Sequence, residues 1–154
     1  MKVLVIIPNK DKKDELVLAA LDYLSKLKLP YCASHIFIDV GRKFDRSDAK
    51  LKMQEEGKAI LQATDGYFRI ALDLNGKKLD SSAFSSWLSK LSFSTSKISF
   101  IIGGAFGLSE QVLTACDAKI SLSDMTFPHK LALLMLSEQI YRAAEINFGS
   151  PYHK

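Results

Sequence analysis

A chain of 154 residues with 47% hydrophobic, 25% charged and 10% aromatic residues matches one globular domain with a core of its own, residues 1–154, and excludes a disordered or disulfide-stapled polypeptide. Its two cysteines, Cys32 and Cys116, lie far apart and belong to no Cys/His cluster, so they supply no metal ligand set and read as buried thiols of a reducing compartment. The net charge of +4, from 21 Lys and Arg against 17 Asp and Glu, leans toward a polyanionic partner without requiring one.

In chain order, Lys2–Ile7 reads as a first strand. Its apolar run is too short for a signal peptide, and no later run approaches the roughly 18 residues of a membrane span, so a cytoplasmic protein away from membranes is expected. Leu16, Ala20, Leu21, Leu24 and Leu27 then share one helical face, and His35–Val40 reads as the second strand. Basic residues gather around Lys10, Lys12 and Lys13 and again at Arg42, Lys43, Arg46, Lys50, Lys52 and Lys58. Asp45, Asp48, Glu55 and Glu56 interrupt the second group, which leaves a phosphate-contacting surface and a solvated, ion-paired helix face both open. Ser47 is a candidate N-cap for a helix that closes with Ala59, Ile60, Leu61 and Ala63.

Tyr67–Asp73 reads as the third strand. Asp80 is a candidate N-cap for a helix whose apolar face is Phe84, Trp87, Leu88 and Leu91, and Lys97–Ile102 and Ala118–Leu122 follow as strands. Short β-branched runs alternating with helical patterns point to an α/β fold, a parallel-rich sheet covered by helices on both faces. The last helix starts after Pro128 and runs to about Phe148. Leu131, Leu133, Leu134, Met135, Leu136, Ile140, Ala143 and Ala144 spread over more than one of its faces, which suggests that one side meets a second subunit in a homodimer.

Two segments have the position and chemistry of a ligand site. Gly103-Gly104-Ala105-Phe106-Gly107 follows a strand and precedes a helix, where ligands of open α/β sheets settle. It is neither a GxGxxG fingerprint nor a P-loop, and spacing alone leaves a structural turn equally open. Leu122-Ser123-Asp124-Met125-Thr126-Phe127-Pro128-His129 leaves the fifth strand and enters the last helix, with His129 at the helix start. On that helix Glu138, Arg142 and Glu145 fall four and three apart on one face, and Tyr152 and His153 lie in the short tail beyond it.

Together these segments resemble the ribosomal RNA large-subunit methyltransferase H family, a branch of the SPOUT superfamily. The resemblance spans essentially the whole chain. It is carried by Leu72-Asp73 with Gly76-Lys77, Ile102-Gly103-Gly104 with Gly107-Leu108, Leu122-Ser123 with Met125 to His129, Glu138-Gln139 with Tyr141-Arg142-Ala143, and the closing Tyr152-His153-Lys154, with Glu56 to Leu61 also in keeping. It implies a SPOUT-type α/β domain with a carboxyl-terminal trefoil knot, which ordinary topology rules would exclude. It also implies an enzyme that methylates N3 of a pseudouridine in 23S ribosomal RNA within the ribosome, using S-adenosylmethionine, as a homodimer. A non-catalytic RNA-binding relative and an unrelated nucleotide-binding α/β protein are the alternative readings.

By the same resemblance the cofactor lies bent among Leu72, Gly103, Gly104 and the loop Leu122, Ser123, Asp124, Met125, Thr126 and Phe127. Substrate handling falls to His129, Glu138, Arg142, Tyr152 and His153: Arg142 for a phosphate or an anionic base, Tyr152 for stacking or hydrogen bonding, His153 or Glu138 for the proton, with the tail reaching the partner's site. The chain departs from the family where Phe106 replaces a commonly polar residue, Leu133 replaces a common arginine and Pro8-Asn9 replaces a glycine. Lys130, one turn from Leu133, then stands in as a point charge.

Overall fold

The computed structural model describes residues 1–8, 12–40 and 48–153, with only the main chain of His153. Asn9, Lys10, Arg42, Lys43, Asp45, Arg46, Ser47 and Lys154 lie outside the described residues. The elements are β1 (Lys2–Pro8), α1 (Glu15–Ser25), β2 (Cys32–Ile38), α2 (Ala49–Ala63), β3 (Phe68–Lys78), α3 (Ser81–Ser94), β4 (Lys97–Ile101), α4 (Glu110–Ala115), β5 (Ala118–Ser121) and α5 (His129–Asn147), closed by a 3₁₀ turn over Pro151–His153. All paired strands run parallel, in the order β2-β1-β4-β3-β5.

Side-chain alternation divides the core into two layers. In β1, Val3, Val5 and Ile7 point to the side that holds Ala20 and Leu24 of α1, Leu88 of α3 and Leu136 and Ile140 of α5. Leu4 and Ile6 point the other way, onto Ile60 of α2 and Val112 of α4. Both faces being covered, the central strands are apolar without interruption, as in Ile98 to Ile101 apart from the buried Ser99.

Helix boundaries have local causes. Asp14 caps α1 by accepting from the Leu16 and Val17 amides, Asp80 caps α3 by accepting from Ala83, and Ser109 caps α4 by accepting from Val112. Asp48, directly after the expected Ser47, occupies the cap position of α2 without a side-chain bond.

Several expectations change. The second strand starts at Cys32, and because β2 is a sheet edge with a largely exposed outer side, Cys32 is an exposed thiol; Cys116 is half-buried, and burial pushes its thiol up. The buried stripe of α1 is Val17, Ala20 and Leu24, with Leu16 turned outward. The second apolar side of α5 is taken up largely by its own chain, since α1 and α3 both pack along it. Leu133 is 1% exposed within that packing, so this position faces the core, and neighbouring Lys130 is held by Asp14 at 2.8 Å. In the basic stretch, Lys58 pairs with Glu55 and Lys52 approaches Glu56, which realises the ion-paired helix face there.

The feature that shapes the site is an irregularity in β3. Leu72 pairs with Ile120 of β5, and so does Lys77, so residues 73–76 leave the ladder and return to the same partner. The Asn75 amide donates to the Asp73 carboxylate at 2.8 Å and folds the excursion. Gly76 then lies so close to β5 that a methyl group there would stand 2.4 Å from the Ile120 carbonyl carbon.

Gly76→Ala is therefore expected to lower stability by about 1–3 kcal/mol, because main chain cannot yield as a side-chain tip would. Thermal unfolding followed by circular dichroism checks it, and an unchanged midpoint would show that the two strands are not held at this spacing.

Candidate active site

The β3 excursion, the turn after β4 and the loop after β5 converge at the carboxyl ends of three adjacent strands around a cavity of about 620 Å³. That is the edge of a parallel sheet where ligands are received, and the volume suits a nucleoside-sized molecule. Leu72, Leu122 and Phe127 give it apolar walls, Gly103 and Gly104 give it a wall of bare main chain, and Met125 and Thr126 line its open side. Met125 is 71% exposed and Leu74 52%, leaving an apolar rim.

The glycine-rich wall is a tight turn. The Gly107 amide donates to the Gly104 carbonyl at 3.0 Å, Gly107 has φ +80°, and a methyl group on Gly103 would meet the Gly107 carbonyl carbon at 2.7 Å. Across the cavity, the Ser123 hydroxyl accepts from the Met125 amide, and the Ser121 hydroxyl donates to the Ser123 carbonyl, fixing the second loop. Lys78 pairs with Asp124, so Asp124 clasps the excursion to this loop from outside instead of lining the cavity.

His129 also lines this cavity, as do Pro128 and Ala132 in the first turn of α5. The N-cap of α5, Pro128, makes no side-chain cap, and the helix dipole brings partial positive charge to the cavity edge.

The other substrate-side residues gather elsewhere. Arg142 Nε and Nη2 donate to Glu138 Oε1 at 2.9 and 2.6 Å, the Tyr152 hydroxyl donates to the same oxygen at 3.3 Å, and Gln139 donates to Oε2 at 2.7 Å. The guanidinium of Arg142 lies 4.9 Å from the Tyr152 ring centroid, and that ring meets Tyr141 edge-on, with Tyr23 beyond. With both oxygens engaged, Glu138 orients its neighbours. Arg142 is raised further above its usual range by the hydrogen bond to Glu138. Burial, the Tyr23 hydroxyl and the Glu138 charge push the Tyr152 phenol up to about 12, so at neutral pH it is a hydrogen-bond donor.

Glu138 and Arg142 follow His129 by nine and thirteen residues along one continuous helix, about 14 and 20 Å along its axis. One chain thus brings together Leu72, Gly103, Gly104, Leu122, Ser123, Met125, Thr126, Phe127 and His129, and separately Glu138, Arg142 and Tyr152. The sequence reading missed Asp73, Leu74 and Asn75 as cavity wall. Asp73 stands in the Leu72-Asp73 motif itself, and the only signal for Leu74 and Asn75 was their place between that motif and Gly76-Lys77.

Glu138→Gln removes the negative charge beside Tyr152, so the Tyr152 phenol should then ionise at lower pH. Ultraviolet titration, with Tyr152→Phe as the blank among the five tyrosines, reads this directly. An unmoved late tyrosine would separate the two groups.

Comparison with known proteins gives this geometry its family. The family described as "Predicted SPOUT methyltransferase" matches residues 1–153. The chain is 44% identical to a ribosomal RNA large subunit methyltransferase H from Clostridium botulinum (strain Kyoto / Type A2), covering 92% of this chain and 93% of the relative. It is 39% identical to the protein of the same name from Carboxydothermus hydrogenoformans, over the full length of both. In fold it is similar to a probable methylase family protein from Haemophilus influenzae, with a TM-score of 0.61 at 12% identity, covering 99% of this chain and 70% of that one. It is also similar to a ribosomal RNA small subunit methyltransferase E from Neisseria gonorrhoeae bound to S-adenosyl methionine, with a TM-score of 0.52 at 13% identity, covering 90% of this chain and 64% of that one. The chain belongs to the SPOUT methyltransferase family, in the group of the ribosomal RNA large subunit methyltransferases H.

Proposed function

We propose that this protein is a cytoplasmic S-adenosylmethionine-dependent methyltransferase that modifies N3 of a pseudouridine in 23S ribosomal RNA, acting as a homodimer on the assembled ribosome. The observation that carries the reading is the cavity at the ends of β3, β4 and β5, in a chain 44% identical to a protein named for large-subunit ribosomal RNA methylation. The carboxyl-terminal trefoil knot belongs to the same reading.

The cavity suits the cofactor by its own chemistry. Leu72, Leu122 and Phe127 offer apolar surface for an adenine ring, the glycine-rich turn offers main chain without side-chain obstruction, and the positive end of the α5 dipole favours an anionic group at the cavity edge. Bound S-adenosylmethionine supplies a methyl group already activated on a sulfonium. The chain's task is to place the base, which yields several kcal/mol through lost orientational freedom, and to stabilise the charge left when N3 gives up its proton.

Arg142 suits that second task, being permanently charged and presented as a fixed fork by Glu138. Tyr152 supplies a ring face and a hydroxyl donor, and His129 stands at the cavity itself. Because α5 holds Arg142 and Tyr152 well away from the cavity of their own chain, the reading has them serve the partner's cavity in a two-fold dimer. His153, the next residue in the chain, belongs to the substrate side of the same reading.

Methyl transfer from labelled S-adenosylmethionine to ribosomes lacking the modification should be readily measured for the wild type, and should fall at least a hundredfold for Arg142→Ala. Binding of cofactor without transfer would instead mark a non-catalytic RNA-binding relative. Mixing Arg142→Ala with a cavity-blocked Leu122→Arg chain should restore about a quarter of wild-type activity, since random pairing leaves one intact composite site in each heterodimer. No recovery, with exchange of chains shown by native mass spectrometry, would place Arg142 and the cavity it serves in one chain.

A further inference from the structure

Glu56 is a charged group to which the reading above gives no task. It stands midway along α2 with its side chain only 15% exposed, and it lines a second, very small cavity with Pro8, Gly104 and Gly107. Gly104 and Gly107 line the large cavity as well, so the glycine-rich turn is the partition between the two. A methyl group on Gly104 would stand 3.4 and 3.8 Å from the two carboxylate oxygens of Glu56. Gly104 itself puts no side chain between the carboxylate and the large cavity, and the nearest other atom there is the Pro8 Cβ, 3.6 Å from that methyl position. α2 comes this near because residue 57 is glycine: a methyl group there would lie 2.6 Å from the Ser109 hydroxyl, the cap of α4.

The electrostatic setting of Glu56 is unfavourable to its own charge. Burial raises its carboxyl above the usual range, Asp39 raises it further, and Lys52 at 3.9 Å opposes them from one turn earlier on α2. These are the charged groups facing it among the described residues. A carboxyl raised in the folded state makes the fold less stable as pH climbs through the interval between its unfolded and folded values, so an uncharged isostere relieves the burial of the ionised form at the loss of the Lys52 contact. The charge is held at the expense of stability, which points to a use for it.

We infer that Glu56 is a specificity-determining residue of the cofactor site, its negative charge acting through the glycine wall to favour S-adenosylmethionine over S-adenosylhomocysteine. The inference rests on the methyltransferase reading. Cofactor and product differ by one methyl group and one positive charge, the sulfonium having become a neutral thioether. A pocket discriminates poorly on one methyl group, whereas charge acts across a dry wall without contact. A site that loosens its hold when the positive charge departs releases product more readily.

Isothermal titration of both ligands against wild type, Glu56→Gln and Glu56→Asp tests this. For Glu56→Gln, S-adenosylmethionine should bind about three- to tenfold more weakly while S-adenosylhomocysteine stays within about twofold, and Glu56→Asp should keep the wild-type preference. In the wild type the preference should fade on acidification at a pH above the ordinary carboxylate range, and in Glu56→Gln it should be flat. Thermal melting should place Glu56→Gln at or above the wild type. Equal weakening of both ligands would reduce Glu56 to a strut behind the turn and overturn the inference, as would no change in either. Failure of the wild type to bind S-adenosylmethionine at millimolar concentration would sink the methyltransferase reading itself.

Discussion

The contact between Gly76 and the main chain of Ile120 is the constraint on which the rest of the site depends. β3 reaches Ile120 at Leu72, departs, and reaches it again at Lys77, so the whole excursion is pinned to a single residue of β5. Being pinned at both ends, residues 73–75 have nowhere to lie except over the strand ends, and they become one wall of the cavity. The Lys78–Asp124 pair then ties the far end of the excursion to the loop after β5. That pair is exposed and contributes little to stability, but it closes the ring of main chain around the cavity. A side chain at residue 76 would push the strands apart and open every wall together.

α5 sets the second constraint. Leu133, Leu136, Ile140, Ala143 and Ala144 bury one side of it without a break, so it behaves as a rigid rod between its cavity end and its Glu138 end. Side chains at the two ends cannot meet by bending. The tail folds back through the 3₁₀ turn, and Tyr152 reaches Glu138 and Arg142, not His129. On the proposed reading, chemistry that uses the cavity and Arg142 at once takes a second copy of the helix, an argument for a dimer that does not depend on the apolar character of α5, much of which α1 and α3 already cover.

Local pattern carried much of the fold. Short β-branched runs marked all five strands, and Asp80 capped α3 as its chemistry requires, because these features depend on neighbours within four residues. What failed depends on partners distant in sequence. Leu133 reads as a lost surface arginine until α1 and α3 are seen to bury it, and Lys130 reads as a free cation until Asp14, 116 residues away, claims it. Cys32 reads as a core thiol until β2 proves to be an edge. For the site, the Glu138–Arg142 pair was visible as an i, i+4 spacing, but its union with Tyr152 was hidden by a tail that looks frayed. The motif on either side of the β3 excursion was visible as letters, while its meaning is a long-range register shift that no local pattern encodes.

The charges around the cavity have a direction. At one edge the amino-terminal end of α5 turns the positive end of its helix dipole toward the cavity. Behind the opposite glycine wall, Glu56 supplies negative potential that Lys52 at 3.9 Å offsets only in part, with Asp39 adding to it. A ligand with an anionic group and a cationic centre is therefore oriented before any side chain touches it, and the orientation weakens when the cationic centre is discharged. Such a field requires walls that carry no side chains of their own, since an intervening polar side chain would screen it. Glycines at 103, 104 and 107 thus serve two ends: they fold the tight turn, and they leave that wall thin enough for a charge on α2 to be felt within the cavity.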